Sequence, residues 1–116
     1  MNKIYYLKTC STCGKILKQL PNLDKFELQD IKPNPLTETQ LEELYKMAGS
    51  YEALFSRNAT LYKERGLKDK PLTEDDYKAL ILEHYTFLKR PVIVAGDHVF
   101  IGNKANTVQE AIEYLK

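Results

Sequence analysis

Cys10 and Cys13, in the stretch "YYLKTCSTCGKILKQL", are the residues best suited to chemistry. Two thiols three positions apart can be metal ligands, a structural bridge, small buried hydrophobes or a redox pair. Zinc asks for about four nitrogen and sulfur ligands. The chain has two cysteines and two histidines, His84 and His98, which are far apart in sequence and lack ligand spacing, so no metal site is expected. A structural disulfide closing so short a loop would constrain the unfolded chain little. Free cysteine is often a small core residue, and that reading stays open beside the redox one.

Position favours redox work. An apolar, aromatic run (Lys3, Ile4, Tyr5, Tyr6, Leu7) reads as a buried strand. From Ser11 the pattern turns helical, with Cys13, Ile16, Leu17 and Leu20 at three- and four-residue spacing until Pro21 stops it. Cys10 then falls at the mouth of a helix that Ser11 or Thr12 opens. A thiol there faces unpaired backbone N–H groups and the positive end of the helix dipole. Both favour the thiolate, which is the nucleophile. Cys13, one turn further along the same face, is within reach to resolve a mixed disulfide formed at Cys10. No acidic residue lies between Lys8 and Lys18, and Lys8 and Lys15 add positive charge.

Other elements must hold this pair. A second short strand is predicted over 25–29, broken by "KPNP". A helical stretch follows. "LTETQLEELYKMAG" opens on a Thr37/Gln40 capping-box spacing and closes at Gly49, with Leu41, Leu44, Tyr45 and Ala48 on one face. "SYEALFS" and "TLYKERGLK" read as short helices. "PLTEDDYKALILEHY" starts on a Thr73/Asp76 cap with Tyr77, Leu80, Ile81 and Tyr85 inward. "PVIVAGDHVFIG" is a hairpin turning at Ala95-Gly96-Asp97, and "NTVQEAIEYLK" a closing helix with Val108, Ala111, Ile112 and Leu115 inward. The fold class expected is α/β: a mixed four-stranded sheet flanked by helices, its first pair parallel and its last antiparallel. One domain over 1–116 is expected, with a helical insertion over about 36–88 between the second and third strands.

Two arginines bear on the site. "LKRPVIV" sets Arg90 and Pro91 at the start of the third strand, where proline is tolerated and its preceding bond can be cis. Arg90 abuts an apolar strand, where a charged head usually has a partner. "ALFSRNATLYKERGL" sets Arg57 and Asn58 between two short helices. A guanidinium fork suits oxyanions and carboxylates because it donates two parallel hydrogen bonds.

Composition sets outer limits. The chain has 116 residues, 43% hydrophobic and 28% charged, which suits a single globular domain with its own core. A net charge of +1 leaves no electrostatic footprint for nucleic acid or an anionic membrane. The apolar runs are too short to span a bilayer, and no leader pattern is seen. The expected localisation is cytoplasmic, where cysteines stay reduced unless they work.

The strand followed by "TCSTCGK", with "LFSRNATLYKERGL", "LTEDD…LILEH…FLKRPVIV" and the closing "VFIGN", resembles the arsenate reductase-like (ArsC) family of thioredoxin-fold proteins over essentially the full length. Its Spx-like and YffB-like branches are the nearest. The resemblance implies a thioredoxin-like fold with Cys10 as nucleophile, and Arg90 as the arginine before a cis-proline at Pro91. It places Arg57 next to a family arginine position that Ser56 occupies here. Gly102 stands where glutathione-coupled arsenate reductases carry a further arginine, and Cys13 matches the Spx-like C-x-x-C. Gly49 aligns with a glycine that Spx regulators use at RNA polymerase.

The expected function is a thiol–disulfide oxidoreductase. Cys10, Cys13 and Arg90 are its catalytic residues; Ser11, Thr12, Arg57, Asn58 and Pro91 form its substrate- or anion-binding side. No bound cofactor is expected. The electrons would come from an external thiol, with glutathione, thioredoxin or glutaredoxin as partner. The alternative is an Spx-like redox sensor that docks on the RNA polymerase α subunit without touching nucleic acid.

Overall fold

The structure, a computed structural model, describes residues 2–116. It divides into two compact units: the chain up to Asn34 together with Arg90–Lys116, and the intervening Pro35–Lys89.

The first unit carries the sheet. β1 (Asn2–Tyr6) runs into α1 (Ser11–Gln19), and β2 (Glu27–Asp30) follows a 3-10 turn at Leu23–Lys25. β3 (Val92–Ala95) and β4 (His98–Ile101) form the hairpin, and α5 (Ala105–Leu115) closes the chain. The strand order is β2-β1-β3-β4. β1 pairs with β2 in parallel, as a helical crossover requires, and with β3 antiparallel; β3 and β4 are antiparallel across their two-residue turn. The sheet is therefore mixed, as the sequence implies.

Alternation explains the packing. Ile4, Ile93 and Ala95 share one face, and Leu17 and Leu20 from α1 and Ala111 from α5 pack on it with Phe26. Their neighbours along the strands, Tyr5, Val92 and Val94, are also buried. Lys3 is only 9% exposed; its ammonium pairs with Glu27, directly opposite on β2, at 2.7 Å. β2 begins at Glu27 rather than at residue 25. Asn22 takes a left-handed φ of 60° and the 3-10 turn consumes Lys25, which delivers Phe26 into the core.

The second unit is helical: α2 (Glu38–Ala48), α3 (Thr60–Glu64) and α4 (Glu74–Glu83). Both predicted capping boxes form. Thr37 and Gln40 exchange side-chain and backbone bonds at each other's N–H groups, as do Thr73 and Asp76. "SYEALFS" gives only a 3-10 turn, Glu52–Leu54, whose amides at Tyr51 and Glu52 are held by the Glu74 carboxylate at 2.6 and 3.1 Å. Phe55 anchors the unit, stacked 5.4 Å from Phe87 and tilted 4.8 Å from Tyr77. Tyr45, predicted inward, is 38% exposed and stacks on Tyr51 at 4.4 Å. Tyr85 lies beyond the end of α4, in a 3-10 turn, Tyr85–Phe87.

Gly49 ends α2 with φ 89°, and its N–H bonds the Tyr45 carbonyl at 2.8 Å. A Cβ there would meet nothing within 4 Å, so only backbone strain opposes one. Gly49→Ala is expected to cost about 1 kcal/mol, read as a lower urea midpoint with unchanged slope. An unchanged midpoint would remove the left-handed cap as the reason for glycine here.

Candidate active site

The strand–helix junction sets the first sulfur. Cys10 is the N-cap residue of α1, in extended backbone (φ −88°, ψ 115°). Its N–H closes a turn on the Leu7 carbonyl at 3.0 Å, and its own carbonyl accepts from Gly14 N–H at 3.2 Å. The side chain is half-buried, while Cys13 one turn on is buried, and both are free thiols.

An N-cap usually offers an oxygen to the first amides of the helix. Cys10 closes no such capping bond. Its sulfur instead draws weakly on the amides of Cys13 and Thr12, as expected of a large, poor acceptor. Burial pushes the Cys10 thiol up. The backbone amide and the thiol of Cys13, the amide of Thr12 and the Arg90 guanidinium outweigh it, and the thiol lies below its ordinary value. No acidic residue occupies the first turn of α1 to oppose them.

Cys13 goes the other way. Burial is the largest cause, a negative Cys10 beside it adds to that, and the thiol is pushed up to about 11. A Leu7 backbone hydrogen bond and Arg90 pull against this without reversing it. One short helix turn thus holds a thiol poised to ionise and another held protonated.

Arg90 and Pro91 are joined by a cis peptide bond, and the Pro91 carbonyl accepts from Gly102 N–H at 2.9 Å. Sheet register explains how Arg90 reaches the sulfurs. Tyr5 lies opposite Val92, the first residue of β3, so the Arg90–Pro91 segment enters the sheet at the end where β1 leads into the cysteine turn. Ser11 and Thr12 form the exposed first turn of α1.

The predicted residues Cys10, Cys13, Ser11, Thr12, Arg90 and Pro91 therefore lie together in the sheet unit. Arg57 and Asn58 belong to the helical unit. Arg57 donates to the Glu52 carboxylate at 2.6 Å and to the Tyr77 hydroxyl at 3.0 Å, with its guanidinium 5.7 Å from the Tyr77 ring centre. Asn58 is exposed before α3. Two contributors went unread in the sequence: Leu7, whose main chain serves both cysteines, and Gly102, which holds the Pro91 carbonyl. Both act through backbone groups that every residue type except proline supplies, so no side-chain pattern marks these roles.

The family model described as "ArsC family" matches residues 5–111. The chain belongs to the ArsC family. It is 29% identical to YusI of Bacillus subtilis over 91% of this chain and 93% of that protein. It is 26% identical to an arsenate reductase of Escherichia coli over 78% of this chain and 66% of that enzyme. The crystal structure of an ArsC family related protein from Bacteroides fragilis superposes with a TM-score of 0.79 at 24% identity, covering 95% of this chain and 96% of that one. That likeness establishes the thioredoxin-like fold that the sequence resemblance implied. Among the described residues, no helix is long and apolar enough to cross a membrane.

The two thiols should separate on titration. A lowered pKa puts the Cys10 thiolate in place below the ordinary thiol value of 9.0, so its alkylation by iodoacetamide should rise with a midpoint below that value. Cys13, pushed up to about 11, should stay unmodified at neutral pH. Arg90→Ala should move the Cys10 midpoint upward. Peptide mass spectrometry against pH reads all three, and a Cys10 midpoint at or above the ordinary value would contradict the site as described.

Proposed function

We propose that this ArsC-family protein is a thiol–disulfide oxidoreductase in which Cys10 attacks and Cys13 resolves. The observation that carries the reading is the placement of a half-buried Cys10 at the N-cap of α1 with a buried Cys13 one turn on, which favours thiolate at the first and thiol at the second.

The Cys10 thiolate attacks one sulfur of a substrate disulfide. A Cys10–substrate disulfide forms, and the other substrate sulfur leaves as a thiolate that takes up a proton. Cys10 is then neutral, so the negative charge that helped keep Cys13 protonated is gone. Burial alone still opposes ionisation of Cys13, while the Leu7 backbone hydrogen bond and Arg90 favour it. Cys13 loses its proton and attacks the Cys10 sulfur, expelling the second substrate half as a thiol and closing the Cys10–Cys13 disulfide. The substrate gains two electrons and the cysteine pair loses them. An external thiol, glutathione or a thioredoxin- or glutaredoxin-type dithiol, restores the pair by the same exchange.

Arg90 supports the ionised sulfur throughout. Ser11, Thr12 and Pro91 border the attack position on the substrate side. Arg57 and Asn58 receive no step in this scheme, because Arg57 is already matched by Glu52 and Tyr77. Gly49, the residue behind the polymerase-docking alternative, has a sufficient local role as a left-handed helix cap.

With a model disulfide and either glutathione or thioredoxin as donor, Cys10→Ser should reduce turnover to the uncatalysed rate. Cys13→Ser should retain the first attack and accumulate a mixed disulfide, seen as the mass of one substrate half added at Cys10. Turnover of arsenate but of no disulfide would replace the proposed substrate class. Turnover of neither, together with redox-dependent capture of the polymerase α subunit, would favour the sensor.

A further inference from the structure

The sheet has two edges, and they differ in protection. β2 carries Glu27, Gln29 and Asp30. Glu27 binds Lys3, Gln29 donates to the Asn34 carbonyl at 2.9 Å, and Asp30 accepts from Lys8 N–H at 3.3 Å. Charged side chains on an edge discourage pairing with another strand. β4 reads His98-Val99-Phe100-Ile101, with no lysine, carboxylate or proline in it.

The hairpin ladder fixes which β4 groups point outward. Across a two-residue turn the closing pair, Ala95 and His98, is hydrogen-bonded, and the pattern then alternates. Ile93 and Phe100 are the next bonded pair, and the Gly102 N–H bond to the Pro91 carbonyl continues the series. Val99 and Ile101 therefore turn their N–H and C=O groups away from β3. Among the described residues, no turn, loop or cap hydrogen bond reaches either of them. Beside this edge lies an aromatic patch. The His98 and Phe100 rings sit 4.2 and 5.7 Å from that of Tyr114, which is 46% exposed.

We propose that β4 pairs with β4 of a second copy of this chain, antiparallel about a two-fold axis at Phe100. Val99 of each copy then lies opposite Ile101 of the other, which uses every outward donor and acceptor of both strands. Phe100 meets Phe100 at the closer, non-hydrogen-bonded spacing, where cross-strand side chains interact most. Charge favours a second copy as the occupant. Asp97 precedes β4 and Lys104 follows it, so antiparallel pairing brings unlike charges together at both ends. Strands of four residues make a small interface, and small interfaces are transient. The dimer is concentration-dependent and independent of the cysteine chemistry.

Sedimentation velocity and amide hydrogen exchange, each on dilute and concentrated reduced protein, test this. The expected result is a dimer at high concentration in which the Val99 and Ile101 amides slow. The Phe100 amide, already bonded to β3, should not change. Val99→Pro removes an outward donor without touching the β3 ladder and should abolish association. Tyr114→Glu, an exposed change outside the ladder, should weaken it and covers the case in which the proline variant misfolds. A monomer at every concentration would overturn the proposal. So would a dimer whose Val99 and Ile101 amides exchange as fast as in dilute protein.

Discussion

The chemistry depends on one placement: a sulfur where a helix leaves its first amides without partners. Backbone N–H groups buried or half-buried at a helix start must find an acceptor. At most helix starts an oxygen closes that need with a short bond. At α1 the N-cap is Cys10, and its neutral thiol satisfies the amides of Cys13 and Thr12 only weakly. A thiolate is a far better acceptor than a thiol. The same amides therefore gain more from the ionised form, and that difference is what lowers a pKa. A serine or aspartate at this position would make a firmer cap and remove the proposed nucleophile.

The second sulfur is set by depth. Cys13 shares the helix start and the Arg90 charge with Cys10 and has a backbone hydrogen bond of its own from Leu7, yet it is buried and Cys10 is not. Burial penalises charge in both; only at Cys13 does it prevail. The difference then becomes conditional. The negative Cys10 is one of the causes holding Cys13 protonated, and it disappears once Cys10 is bonded to substrate. In the proposed exchange, ionisation of Cys13 is therefore less opposed once the mixed disulfide exists than before it, with burial still acting against it. The difference in depth follows from position along one face: Cys10 caps the open end of the helix and is half-buried, while Cys13, one turn further in, is buried.

Signals local to a few residues were legible in the sequence. Thr37/Gln40, Thr73/Asp76 and Gly49 are read from one turn of chain, and each forms as expected. The hairpin is equally local, as is the switch from strand to helix at Ser11. Legibility fell where structure is shorter than a period or depends on distant groups. The 3-10 turns at Leu23–Lys25 and Glu52–Leu54 span three residues, too few for a hydrophobic repeat to identify. The first of them moves the start of β2. Tyr45 sits at the margin of an apolar stripe and finds its ring partner in Tyr51, which lies past the helix end, rather than in the core. At the site, C-x-x-C and Arg90-Pro91 carried side-chain signals, whereas the main-chain roles of Leu7 and Gly102 carried none.

The two arginines show why residue type and place are separate questions. Arg57 and Arg90 offer the same fork, and both flank apolar segments in the sequence. Arg57 has its charge met by Glu52 five residues earlier and its ring contact met by Tyr77 on α4. It serves as a tie within the helical unit, half-exposed, where an ion pair adds little to stability. Arg90 is delivered by register. β3 runs antiparallel to β1, and β1 leads directly to the cysteine turn, so the Arg90–Pro91 segment that enters β3 lies at the same end of the sheet as that turn. Its charge acts on both thiols. A shift of one residue in the β1–β3 pairing would turn Ile4 and Tyr5 to the wrong faces. The core that fixes that register therefore also fixes the distance between cation and sulfur, which ties the site's electrostatics to the packing of the sheet.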